Sequence, residues 1–259
     1  LAERRADRLK RLLHRAALLA AGIVAAAAAL AATPLQPLID ATPSGGTLLL
    51  AAGTYTGPAT VDRPMVLDGG GKAHIDGQHR ESVLRVRANS ATIRGLILTG
   101  SGDSHDRVDS AIVVEGHYNR IEDNRIEDVL FGITLHASNH NVVARNYIRS
   151  RPVDLADRGD GLRLWYSTGN RIEGNDIAQI RDVTISNSPR NRYVGNRIRD
   201  SRRAMNFLFA GRSLVEGNDL TVRDQRLYLK TLGGLEPVHA LIKRLDDEWL
   251  DPLELRSDS

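Results

Sequence analysis

The chain contains no cysteine among its 259 residues, which excludes disulfides and thiolate-bound metals. Aromatic residues amount to only 4%, so a core must be built from Ile, Leu and Val. Long apolar runs are also missing, with one exception at residues 16–32. That run falls short of the roughly 20 residues that span a bilayer comfortably. An excess of one charge is missing as well, once the leader is set aside. The whole chain carries a formal +3. Arg4, Arg5, Arg8, Lys10, Arg11 and Arg15 against Glu3 and Asp7 place +4 ahead of the apolar run, which leaves −1 for the remainder. A nucleic-acid partner would require a basic patch on the folded domain, so no nucleic acid is expected. The basic start, the short apolar run and Ala29-Leu30-Ala31 predict a secretory signal peptide over residues 1–31.

What the sequence has is a repeat. The frame Asn-x-[Ile/Val/Tyr]-x-x-Asn-x-[Ile/Leu] occurs as NRIEDNRI at 119, NVVARNYI at 141, NRIEGNDI at 170 and NRYVGNRI at 191. SLVEGNDL at 213 carries Ser for the first Asn, and ATIRGLIL at 91 is a degenerate copy. The start-to-start spacings are 28, 22, 29, 21 and 22 residues. Self-similarity at this period marks a solenoid. Each frame is preceded by a short segment with inside-outside alternation, as in Gly132-Ile133-Thr134-Leu135, which is the period of a strand. Short strands and polar corners at about 22 residues per turn predict an all-β, right-handed parallel β-helix over residues 32–234. Pro237 then opens a pattern with Val238, Leu241, Ile242, Leu245 and Trp249 on one stripe, predicting a short amphipathic C-terminal helix within residues 235–259.

The recurring asparagines form two columns. Asn119, Asn141, Asn170 and Asn191 make one, and Asn124, Asn146, Asn175, Asn196 and Asn218 make the other. Asn tolerates the left-handed conformation of a tight corner and caps local backbone groups, and stacked amides bond along a ladder. The columns therefore read as scaffold rather than as a binding groove.

The two long spacings mark insertions at one point of the coil, residues 101–109 (SGDSHDRVD) and 151–160 (RPVDLADRGD). Insertions on one side of a solenoid often form its binding face. Asp103, His105 and Asp106 in the first loop are metal-ligand candidates. Asp157 and Asp160 in the second are ligand-face candidates. In GDGLRLWYS, Leu162 and Leu164 point inward, so Arg163 and Trp165 point out. His136 lies one rung below them, and Asn206 two rungs above Arg163. An outward Trp beside Arg and His suits a protein or carbohydrate contact.

The run DRGDGLRLWYSTGNRIEGNDI at 157–177, followed by NRYVGNRIRDSRRAMNFLFA at 191–210, resembles the repeat core of the NosD family of nitrous oxide reductase maturation proteins. The resemblance implies a periplasmic, non-enzymatic accessory protein with a role in copper delivery. It implies as partners an ABC transporter membrane subunit, through which the protein is membrane-associated, and a copper chaperone or nitrous oxide reductase itself. Copper is the metal such a role involves. The competing reading is a polysaccharide-modifying lyase, hydrolase or epimerase, a class that parallel β-helices often host. Asp157, Asp160 and Arg163 would have to supply its acid, base and cation chemistry.

Overall fold

The structure is a computed structural model, and it describes residues 32–221, 227–231 and 234–238, the last two stretches as backbone only. The chain divides into two units at Thr33. Residues 1–31, where a signal peptide is expected, fall in the first unit and outside the described residues, and the solenoid lies in the second.

The second unit is a right-handed parallel β-helix with three faces. The first face stacks the opening residues of Val66–Asp76 and of Thr92–Thr99, then Arg120–Glu122, Val142–Ala144, Arg171–Glu173, Arg192–Val194 and Leu214–Glu216, all parallel. The second face stacks the closing residues of the same two long strands, then Arg125–Val129, Tyr147–Ser150, Asp176–Ala178, Arg197–Arg199 and Asp219–Leu220. The third is a seven-stranded sheet running from Ala59–Val61 through Leu84–Val86, Ser110–Val114, Phe131–His136, Leu162–Trp165 and Asp182–Ser186 to Arg203–Leu208.

Inward residues stack in columns because the register holds from rung to rung. Leu67, Ile93, Ile121, Val143, Ile172 and Tyr193 are partners in sequence along the first face, and all are buried. Each such side chain contributes about 1.5–3 kcal/mol when fully buried. A branched aliphatic column suits the roughly 4.8 Å spacing of strands, since like shapes nest directly over one another.

The asparagine columns are continuous, and all their members except Asn218 are buried. The backbone N–H groups of Ala91, Asn119, Asn141 and Asn170 donate to Oδ1 of Asn119, Asn141, Asn170 and Asn191 at 2.7–2.8 Å. In the second column Leu96, Asn124, Asn146, Asn175 and Asn196 donate likewise to Asn124, Asn146, Asn175, Asn196 and Asn218 at 2.8–3.1 Å. Each asparagine thus closes a backbone donor that a corner would otherwise strand away from water. The conformational half of the expectation is corrected. The left-handed residues are those before the asparagines: Tyr118, His140, Gly169 and Arg190 in the first column, and Asp123, Arg145, Gly174 and Gly195 in the second.

The N-terminal end carries an element the repeat did not foretell. A helix, α1 (Leu35–Ala41), lies over the first rung with Leu35 and Ile39 wholly buried. At the other end the parallel faces stop at Leu220, and Leu227–Thr231 pairs antiparallel with Gly234–Val238. Pro237 and Val238 therefore belong to a strand rather than to the first turn of a helix. The rest of the expected C-terminal helix lies outside the described residues.

Candidate functional site

Both insertions leave the coil between the second and third faces, and the structure knits them together across the rung between them. Arg151 donates to the Ser101 carbonyl at 2.8 Å and pairs with Asp103. The Leu130 N–H donates to Ser101 Oγ at 2.8 Å, and the Gly159 N–H to the Leu130 carbonyl at 3.1 Å. His105 sits edge-on to Phe131 at 5.5 Å, with Nε2 3.2 Å from the Asp157 carbonyl. Such contacts make the edge a defined surface rather than two independent loops.

They also use up the expected metal ligands. Asp103 is committed to Arg151, His105 to Phe131 and the Asp157 backbone, and Asp106 is exposed. Among the described residues no three His, Asp or Glu side chains converge as a metal shell would. Asp103, His105 and Asp106 are thus three neighbours in sequence that the loop sends in different directions.

Asp157 and Asp160 are likewise separated by environment. Asp157 is exposed, whereas Asp160 is buried. Asp160 lies 3.4 Å from Arg181 and 3.8 Å from Arg163. Burial pushes its carboxyl above the usual carboxylate range. The Thr184 hydroxyl and Arg181 oppose that shift, neighbouring Asp182 adds to it, and Arg163 opposes it. Asp182 is buried too and is held by Arg202, with Nε at 3.1 Å. Sequence reading missed Arg181, Asp182 and Arg202. The signal was available, because Gly161 and Asp182 occupy equivalent corners: the Gly161 N–H donates to the Asp182 carbonyl at 3.0 Å. Gly161 is required there, since a Cβ would come within 2.7 Å of Ile177 and Ile180 side-chain carbons.

The third face presents two outward rows. Thr134, Arg163, Thr184 and Asn206 are successive partners in one, and His136, Trp165, Ser186 and Leu208 in the other. Arg163 places its guanidinium 5.3 Å from the Trp165 ring, and Tyr166 meets the same ring edge-on at 5.5 Å. Tyr166 is 57% exposed although its φ is +48°, an uncommon conformation for a bulky residue. The strand end thus holds one aromatic ring out while a second braces it. Arg163 joins this patch to the buried carboxylates, because it touches both Asp160 and Trp165. The result is a rigid, amphipathic contact surface of the kind that anchors protein interfaces.

A β-helix whose interruptions build one decorated edge defines a class, and the chain belongs to the right-handed β-helix family, whose model matches residues 82–226. It is similar to the probable ABC transporter binding protein NosD of Pseudomonas aeruginosa, at 30% identity over 154 residues, covering 58% of this chain and 36% of that protein. A second model, circularly permuted ATP-grasp type 2, matches residues 208–259. The uncharacterized proteins Rv2411c of Mycobacterium tuberculosis and ML0605 of Mycobacterium leprae are 47% identical over 49 residues, or 19% of this chain and 9% of each of theirs. The chain therefore spans well under half the length of these relatives. The two family matches overlap over residues 208–226, a stretch that includes the last parallel strands, Leu214–Glu216 and Asp219–Leu220.

Proposed function

We propose that this β-helix is an accessory, partner-binding protein of an ABC transporter system, placed in the periplasm and serving copper delivery to nitrous oxide reductase. The coarser part, a β-helix accessory protein, is supported by the similarity to the Pseudomonas protein, whose printed name is that of a transporter binding protein. The observation that carries the reading is the Arg163–Trp165–Tyr166 patch, an exposed aromatic group braced on a rigid sheet. The transporter membrane subunit is the partner proposed for this face, and a copper chaperone or the reductase for the knitted loops. Copper enters as cargo passed between partners.

Co-purification of the chain with the transporter membrane subunit tests this. Trp165→Ala should lower capture by at least about tenfold, the loss of a central aromatic anchor, with the thermal midpoint within a few degrees of wild type. Capture unchanged by Trp165→Ala and by Arg163→Ala would remove the face from the reading. Anaerobic Cu(I) titration of wild type and His136→Ala tests whether the same face holds the cargo. Turnover of uronic-acid polymers that Asp160→Asn abolishes would establish the enzymatic alternative instead.

A further inference from the structure

The last described corner of the solenoid carries an apolar surface that begins at Leu208, where the outward row of Trp165 ends. Leu208 is 44% exposed, Phe209 86%, Leu214 39% and Val215 39%. These residues meet at the last corner between the third and first faces. Val215 follows Tyr193, Ile172 and Val143 in register, all buried, whereas Leu214 follows Arg192 and Arg171, so an apolar residue takes an outward position that holds arginine on the two preceding rungs. Phe209 has φ +52°, so the turn holds its ring away from the core.

Charge at this end is one-sided. Between residues 183 and 215 there are seven arginines and a single carboxylate, Asp200. Most arginines of the solenoid face a carboxylate, as Arg94 does Asp68 at 2.8 Å and Arg145 does Asp123, and at this end Arg197, Arg199 and Arg202 pair with Asp219, Asp176 and Asp182. Arg190 and Arg192 are exposed and carry no ion pair among the described residues. Arg190 and Arg212 flank a shallow groove floored by Pro189 and Gly211. Arg192 stands directly beside Leu214. Apolar side chains projecting past a ring of arginines suit the interface of a membrane, where the former enter the acyl boundary and the latter meet phosphates. A second copy of this chain would instead set like charges against each other.

We infer that this corner is a docking surface for an anionic phospholipid membrane, with Phe209, Leu208 and Leu214 as the apolar contacts and Arg190, Arg192 and Arg212 facing the headgroups. The inference does not depend on the partner-binding reading, since Phe209, Leu214 and the arginines of the last corner carry it and only Leu208 belongs to the outward row that holds Trp165.

Hydrogen–deuterium exchange of the full chain, with and without vesicles, separates this contact from any made by the basic leader. Vesicles containing phosphatidylglycerol should slow exchange of amides 203–216 by at least about tenfold, and pure phosphatidylcholine vesicles should not. Phe209→Ser with Arg192→Glu should abolish that protection and leave amides 119–146 unchanged, which shows the variant folded. Four results would overturn the inference. They are protection confined to residues 1–31, equal protection by neutral vesicles, the same protection from inorganic phosphate alone, and protection that grows with protein concentration in the absence of vesicles.

Discussion

The two ends of the solenoid meet the same problem in opposite ways. Every end rung exposes a row of unpaired backbone groups and one layer of core. At the N-terminal end, α1 covers that layer with Leu35 and Ile39. Gln36 closes the edge strand by accepting from the Thr60 N–H at 2.7 Å and donating to the Thr60 carbonyl at 3.2 Å. Arg63 then satisfies the end of the helix, donating to the carbonyls of Ile39, Asp40 and Thr42 at 2.9–3.1 Å. At the C-terminal end, the last inward residue of the first face, Val215, is 39% exposed. The last asparagine, Asn218, accepts from Asn196 and has no further asparagine beyond it in the column. Among the described residues, one end is finished by a helix and the other leaves Leu214 and Val215 partly exposed.

The sharpest way to break this contrast is to place a charge under the cap. Ile39→Asp buries a carboxylate in a wholly apolar site, a change expected to cost about 4 kcal/mol or more. Urea unfolding followed by circular dichroism would measure it. Phe209→Asp at the opposite end should stay within about 0.5 kcal/mol, as exposed substitutions do. Equal losses at the two sites would show that the C-terminal end is covered as well.

The asparagine ladder grades the same contrast. Asn146 accepts from the Asn124 N–H and Nδ2 and donates to the Ile121 carbonyl and Asn175. Asn146→Ala leaves two buried backbone groups without partners, at roughly 1–3 kcal/mol for each, and should lower stability by about 3 kcal/mol. Asn218→Ala, at the open end, should cost less than about 1 kcal/mol because water can replace the amide. A chemical-denaturation series along the column would show whether the loss falls off toward the C terminus. Gln36→Ala should cost about 1 kcal/mol, since it strands the Thr60 amide at the capped edge.

The ladder and the coil were legible in the sequence for a physical reason. A corner that turns the chain inward strands a backbone N–H on every rung, so the residue that satisfies it must recur at the coil period. The same logic made the insertions visible as interruptions of that period. The conformation of the corner was misplaced by one residue, because φ is set by whichever residue precedes the capping side chain, and Tyr118, His140 and Arg190 give no compositional hint of it. The cap was not legible. α1 has seven residues, too few for a helical period, and holds Pro37 in its first turn, where a missing N–H costs nothing. Its job is fixed only by the rung beneath it. The Arg181–Asp182–Arg202 cluster was within reach, because counting back from the asparagine frame aligns Asp182 with Ser110, Gly132, Gly161 and Ala204, and a charge in that column of small residues was the signal. Asp103, His105 and Asp106 looked like a ligand set because they are close in sequence, and Arg151, nearly fifty residues away in the chain, decided otherwise.

The smallest expected effect concerns acid, and it separates the knitted edge from the surface ion pairs. Asp68 is held below the usual carboxylate range, chiefly by the Gly70 N–H and then by Arg94. Glu122 is lowered chiefly by Arg120 and then by Arg145. Both contribute stability that is present above their ordinary pKa and is lost as pH falls through their lowered values. Asp160 has the opposite sign. Burial raises its pKa above the unfolded value, so its favourable contribution is complete below the ordinary Asp range and is lost as pH rises through the raised folded value. Asp160→Asn mimics the protonated form at every pH. It should therefore flatten the stability profile across that window and leave the acid-side decline from Asp68 and Glu122 in place. Thermal midpoints of the two proteins at closely spaced pH values would measure the difference. If the gap between them stayed constant across the window, Asp160 would be an ion-paired carboxylate held by Arg181 and Arg163, with no proton to release.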